Sequence, residues 1–240
     1  MYNHSTGPNV HKVLQLYQSL GIVTVLSWQI DIQSQKQIRT EAMFASMNDC
    51  LYRTMFSYSY TIFIDFDEYI VPKNGLTYAQ MMSKYENHSE FGSFVFHNTF
   101  FYLYHGNNSD FLTEISNLNL TNNVPYLITL FKTNRTKNLN SFGQRSKYIV
   151  RPEYCILLGN HLVWTHFPGK RSKNVKPDVG LSHHYRICEN GGFDCLEKPT
   201  VFDNSTWYHA QNLISNVTLI CQQVYSDTGQ CPEAPTLGSP

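Results

Sequence analysis

The chain has 240 residues, 42% of them hydrophobic and 14% aromatic, with only 15% charged. This balance excludes a disordered chain and describes one ordinary globular domain, long enough to bury a substantial core. Formal net charge is zero and no Lys/Arg run occurs. Nucleic acid is therefore a poor candidate for the main partner, because proteins that neutralise phosphates carry a basic surplus.

Val10, Val13, Leu14, Tyr17 and Leu20 recur at helical spacing and predict an amphipathic helix ended by Gly21. Ile22–Trp28 follows as a buried strand. After a Gln-rich connection from Gln29 to Arg39, the span from Glu41 to Tyr58 reads as a helix that packs Ala42, Phe44, Met47, Leu51 and Met55 on a sheet. Next, Ile62-Phe63-Ile64 carries no helical period and reads as a strand buried on both faces. The order is helix, strand, helix, strand, an alternation that feeds an α/β sheet.

At the carboxyl end of that second strand stand Asp65, Asp67 and Glu68. Ligands of open α/β sheets bind at this end of a strand. On continuing strand geometry Asp65 and Asp67 share a face. Two carboxylates held that close repel unless a cation lies between them, and a hard divalent ion such as Mn²⁺ or Mg²⁺ suits oxygen donors. A solvated turn is the plain alternative.

Asn48-Asp49-Cys50-Leu51-Tyr52-Arg53 followed by Phe63-Ile64-Asp65-Phe66-Asp67-Glu68-Tyr69-Ile70-Val71-Pro72 resembles glycosyltransferase family 92. The resemblance covers roughly residues 2–225. It implies a GT-A, Rossmann-like fold with a mixed, mostly parallel central sheet flanked by helices. It also implies a metal-dependent inverting transfer of a hexose, galactose by resemblance, from a UDP-sugar to a glycan or glycoprotein acceptor. The full-length form would be a type II membrane protein of the Golgi lumen. A complete domain of this kind opens with a strand and helix that are not identified here, so the chain is expected to be N-terminally truncated. Residues 1–225 are read as the partial domain and 226–240, rich in Gly, Pro and Ser, as a disordered tail.

Further along, Lys73-Asn74-Gly75 is a turn and Tyr78–Tyr85 a short helix. The aromatic run from Phe91 to Tyr104 reads as a strand of the acceptor half, with His97 packed within it or facing the site. The polar segment from His105 to Thr121 reads as a loop carrying Asp110 and Glu114. Glu114 is the candidate general base, since an inverting transferase must take a proton from the acceptor hydroxyl.

Lys132, Arg135, Lys137, Arg145 and Lys147 read mostly as a solvated face. Lys147-Tyr148-Ile149-Val150-Arg151-Pro152 nevertheless matches a pattern of the family, and Lys147 is a candidate to compensate phosphate charge. Ile156–Val163 resembles the family's Gly-x-His segment, and Leu181-Ser182-His183-His184-Tyr185-Arg186 its His-Tyr-Arg. That register makes His184 the candidate third metal ligand beside Asp65 and Asp67. Arg186 would clamp a phosphate, and Glu68 would support the acidic loop or touch the ribose. Trp164 and Tyr102 supply rings for a sugar face or for the core. Leu213–Val224 closes the domain as a helix.

Cys50, Cys155, Cys188, Cys195, Cys221 and Cys231 form an even set without a Cys-x-x-C pair, which favours disulfides over zinc and leaves their pairing open. Seven glycosylation sequons, at Asn3, Asn87, Asn107, Asn119, Asn134, Asn204 and Asn216, point to the same compartment and to surface loops. No basic and apolar leader is present. Two rival readings stay open. One is an inactive or glycan-binding fragment. The other is a metal-dependent hydrolase, although a glycosidase places two carboxylates apart, flanking the bond, rather than two residues apart on one strand end.

Overall fold

The structure is a computed structural model that describes residues 1–32, 38–108, 110–111, 113, 125–188, 192–233 and 236–237. In chain order it runs β1 (Tyr2–Asn3), α1 (Pro8–Ser19), β2 (Leu26–Ser27), α2 (Met43–Thr54), β3 (Thr61–Phe63), β4 (Glu68–Pro72) and α3 (Tyr78–Ser83). Then come β5 (Phe91–Phe96), β6 (Asn98–Tyr102), a short helix Ile128–Phe131, β7 (Asn134–Thr136) and β8 (Lys147–Val150). The last elements are β9 (Cys155–Leu158), β10 (Val163–His166), β11 (Arg171–Asn174), β12 (Gly180–Arg186), β13 (Thr200–Phe202) and a closing helix Ala210–Val224.

The fold is mixed α/β. Its strands are divided between a four-stranded sheet, β11-β5-β8-β3, a three-stranded sheet, β4-β12-β6, and three two-stranded pairs. The expected mixed α/β arrangement holds, but the strands do not form a single, mostly parallel central sheet. Only β1/β2, β11/β5 and β12/β6 run parallel among the described strands, and the other pairs are antiparallel. The aromatic run is the reason. It breaks at His97, so that β5 serves the larger sheet and β6 the smaller. His97 itself is packed, its Nδ1 2.8 Å from the Asn140 carbonyl and its ring against Phe142.

Alternation along the strands builds two cores. Val95 on β5 and Tyr148 and Val150 on β8 face α2 and the β9/β10 hairpin, meeting Leu51, Met55, Leu158 and Val163. Phe94, Phe96 and Ile149 face the other way, meeting Ile70, Met81 and Met82. Each such fully buried Phe contributes about 2–3 kcal/mol through the apolar area it removes from water. Asn48 fastens α2 to the hairpin, donating to the Leu158 carbonyl and accepting from the Leu158 amide.

The strand expected over Ile22–Trp28 shrinks to Leu26–Ser27, and Ile22 is exposed. Gly21, at φ 70, adopts the left-handed conformation that lets its amide and that of Ile22 bond back to Gln18 and Tyr17. The start of the apolar run therefore terminates α1 instead of pairing in a sheet. No helix among the described residues is long and apolar enough to cross a membrane.

Cys188 pairs with Cys195 and Cys221 with Cys231, while Cys50 and Cys155 are free. Of the described sequons, Asn87, Asn107, Asn134, Asn204 and Asn216 are exposed. Asn134 lies on a strand and Asn216 inside the closing helix, so these two are surface positions without being loops.

A buried charge cluster ties β13 to the rest. Asp203 accepts from Lys73 Nζ at 2.7 Å and Arg135 Nε at 2.9 Å, and its second oxygen accepts from the Ser205 amide at 3.0 Å. Burial alone would raise this carboxyl, but the charges and hydrogen bonds of its partners outweigh burial and hold it well below the usual range. A depressed carboxyl contributes stability that is present above its unfolded value near pH 4 and lost as pH falls below it. Asp203→Asn should cost about 3 kcal/mol at neutral pH, with two cations left poorly paired, and somewhat less at pH 3, the rest being lost only as pH falls further toward the depressed folded value. Urea unfolding at the two pH values checks this.

Candidate active site

Beyond Phe63 the chain leaves the larger sheet, turns, and enters the smaller one at Glu68. The Glu68 amide donates to the Asp65 carbonyl at 3.1 Å, closing the turn. Strand geometry does not continue through the triplet, and Ile64 is exposed rather than buried. The turn itself brings the acids together. One carboxylate oxygen from each of Asp65, Asp67 and Glu68 lies within 4.8 Å of the others. Asp65 and Asp67 are about half exposed, whereas Glu68 is 2% exposed.

Register delivers the histidine. β12 runs antiparallel to β4, and His184 stands directly across from Glu68. Directly paired residues project to one face within side-chain reach. His184 Nδ1 lies 3.1 Å from Glu68 Oε1, and Nε2 lies 3.1 Å from Asp67 Oδ2. The neighbouring His183 projects to the opposite face, against Phe101. Complete burial pushes the His183 pKa down to about 3, so that imidazole stays neutral.

Lys147 arrives from the larger sheet by the same logic. β3 runs antiparallel to β8, so the end of β3 lies beside the start of β8. On β8, Lys147 shares a face with Ile149, and on β4 Glu68 shares a face with Ile70. Ile149 and Ile70 belong to one core cluster, so the residues two before each of them meet at the edge of that cluster. Lys147 Nζ lies 2.8 Å from Asp65 Oδ2, 3.0 Å from Glu68 Oε2 and 3.0 Å from Asn160 Oδ1. Burial would raise the Glu68 carboxyl, but His184 and Lys147 together outweigh it and hold it down at about 2.

Asp65, Asp67, Glu68 and His184 line one side of a polar cavity of about 470 Å³. Its other walls include Arg145, Asn160, His161 and Arg186. A second cavity, about 350 Å³, opens on the far side of Asp65 between Tyr2, Met47, Phe66 and Lys147. Asp65 belongs to both and joins them.

The structure thus brings Asp65, Asp67, Glu68, Lys147, His184 and Arg186 to one place. Glu114 lies outside the described residues. Tyr102 is buried in the core, while Trp164 is half exposed beside Phe44. Arg145, Asn160 and His161 were not singled out as site residues. The signal lay in the Gly159-Asn160-His161 turn, where Gly159 makes room for the Trp164 indole that packs over it. Burial, with Lys147 nearby, pushes the His161 imidazole below the usual range.

The donor chemistry fits a divalent cation. Lys147 balances one of the three carboxylates. What remains toward the cavity is carboxylate oxygen from Asp65 and Asp67 and an imidazole nitrogen that already converges on Asp67, a mixed oxygen and nitrogen set.

Two comparisons with known proteins bear on what the chain is. A segment of 84 residues is 34% identical to a galactan beta-1,4-galactosyltransferase of Arabidopsis thaliana. The match takes in 35% of this chain and 16% of that plant protein's length. The model of glycosyltransferase family 92 matches residues 1–218. On that match the chain belongs to glycosyltransferase family 92.

Proposed function

We propose that this chain carries the catalytic centre of a Mn²⁺-dependent, inverting hexosyltransferase. It would move galactose from a UDP-sugar to a glycan hydroxyl, in the Golgi lumen, as part of a type II membrane protein. The convergence of Asp67 and His184 beside Asp65 carries the proposal, because an acidic turn that served only as a solvated loop would not recruit an imidazole from a distant strand. Galactose is favoured by the similarity to the plant galactan beta-1,4-galactosyltransferase.

Asp67 and His184 would hold the ion, with Asp65 in support. An imidazole in the set favours Mn²⁺ over Mg²⁺. Such an ion, when bound, stabilises as a Lewis acid the negative charge that builds on a departing diphosphate. Arg145 and Arg186 line the same cavity and add positive charge where the diphosphate would lie. Lys147 keeps Asp65 and Glu68 in place, since it is buried against both. The cavity beyond Asp65, with Tyr2 and Phe66 in its wall, suits the nucleoside. Glu114 remains the proposed base.

The test is a donor screen that reads release of nucleoside diphosphate. UDP-galactose should be turned over with Mn²⁺ and an acceptor glycan, and EDTA should stop the reaction. Turnover that ignores EDTA would remove the metal from the mechanism. Release from UDP-glucose alone would overturn the choice of galactose.

A further inference from the structure

We propose that an N-linked glycan on Asn87 lies in the groove beside it, so that the sugar chain forms a fixed part of the protein's surface. Asn87-His88-Ser89 is a sequon in the turn between α3 and β5, and Asn87 is exposed. Its neighbours Glu86 and Ser89 line a cavity of about 580 Å³. The other walls are the α2–β3 connection, from Met55 to Tyr60, and Arg151, Glu153 and Tyr154 after β8. Arg151 ties the turn to this groove, Nη1 donating to the His88 carbonyl at 2.6 Å and Nη2 to the Tyr85 carbonyl at 2.8 Å. Lys170 Nζ holds the Ser89 carbonyl at 2.7 Å. The attachment point is therefore fixed relative to the groove. Of the function proposed above, this reading takes only passage through a secretory lumen. The metal site plays no part in it, since the groove lies at the start of β3 and Asp65 beyond its end.

The chemistry of the walls selects a neutral sugar chain. Phe56 is 90% exposed and Tyr58 64%, two rings left open to solvent on one short connection. A pyranose stacks the C–H groups of one face on such rings, while its hydroxyls need acceptors at the edge. Glu86, Glu153 and the Ser57 and Ser59 hydroxyls supply them. An anionic ligand is disfavoured, because the carboxylates would repel it. The Arg151 guanidinium does not offset this, being already shared among the Tyr85, His88 and Phe91 carbonyls and the Tyr60 hydroxyl. Attachment joins the Asn87 side-chain nitrogen to the anomeric carbon of an oligosaccharide and breaks that carbon's bond to the diphosphate of a lipid-linked donor. The amide loses one proton and the lipid diphosphate leaves. The disulfides Cys188–Cys195 and Cys221–Cys231 fit a chain that folds where such donors act.

The test secretes the whole chain from eukaryotic cells behind a signal peptide, beside Asn87→Gln, Phe56→Ser/Tyr58→Ser and their combination. Mass spectrometry of tryptic peptides should find a glycan on Asn87. Peptide-N-glycosidase acting on the folded protein should release it about tenfold faster from Phe56→Ser/Tyr58→Ser than from wild type, the factor that about 1.4 kcal/mol of docking supplies. Asn87→Gln should lower the melting temperature by about 3–6 °C, the shift that such a free energy gives a chain of this size. That loss should vanish in the Phe56→Ser/Tyr58→Ser background and in unglycosylated protein made in bacteria. Unmodified Asn87, equal release rates, or the same melting loss in both backgrounds would overturn the proposal. So would a dimer that dissociates when Phe56 is replaced, which would make a second copy of the chain the occupant. Should the double variant fail to leave the cell, Phe56→Ser alone decides by the same readings, because so exposed a ring carries little of the core.

Discussion

Asp67→Ala should reduce transfer by about a hundred- to a thousandfold, the size of effect seen when one group that stabilises developing charge is removed. It should also abolish Mn²⁺-dependent nucleotide binding. The fold should survive, because the Asp67 side chain is half exposed and its main polar contact is the one to His184. The backbone of residue 67, which accepts from the Tyr185 amide at 2.8 Å, is untouched by the substitution. Circular dichroism and a melting curve superposing on wild type, with turnover lost, is the expected pair of results. Normal turnover would eliminate Asp67 from the site, and a collapsed melting curve would recast it as structural.

Lys147→Met should have the largest effect on stability. Removing one partner of a buried pair leaves the other charge uncompensated, which costs about 3 kcal/mol or more. For a chain of this size that corresponds to a fall in melting temperature of roughly 6–12 °C. Asp65 can turn to solvent, but Glu68 cannot. The loss should depend on pH with a definite sign. Glu68 is held at about 2 in the folded protein, so the stability it contributes is complete above its unfolded value near 4.3 and disappears as pH falls toward 2. Lys147→Met should therefore be far more destabilising at pH 7 than at pH 3, where protonation relieves the stranded carboxyl. Thermal melts across that range check this, and a pH-independent difference would show that Lys147 acts through packing of its aliphatic stem alone.

Much of the site was legible in the sequence because its parts carry local signals. Asp65, Asp67 and Glu68 announce themselves by spacing after an apolar run, although a turn rather than a straight strand end gathers them. His184 was legible only through resemblance. Periodicity cannot tell which of two adjacent histidines faces an acid on another strand, and that is decided by the pairing of β12 with β4. Lys147 was read as a partner for phosphate, while the structure surrounds it with Asp65, Glu68 and Asn160. A lysine at a strand's first residue looks exposed in sequence, and only the neighbouring sheet reveals the burial. Arg145 was grouped with a solvated basic face for the same reason, and it lines the polar cavity.

In the fold, the helices were easier than the strands. α2 lies inside its expected span, and α1 begins only two residues ahead of Val10 and stops just before Gly21, because amphipathic spacing is local. The sheets were harder, because two consecutive aromatic strands look alike whether they share a sheet or divide between two. The break at His97, fixed by Asn140 and Phe142 some forty residues later, has no local signature.

Sharing of one ion by Asp67 and His184 is tested most directly by pulsed electron paramagnetic resonance of Mn²⁺ bound to the protein with UDP, using ¹⁵N-histidine labelling. A nitrogen coupling should be present in wild-type protein and absent from His184→Ala. A Mn²⁺ spectrum without nitrogen coupling, or a coupling that persists in His184→Ala, would contradict the assignment.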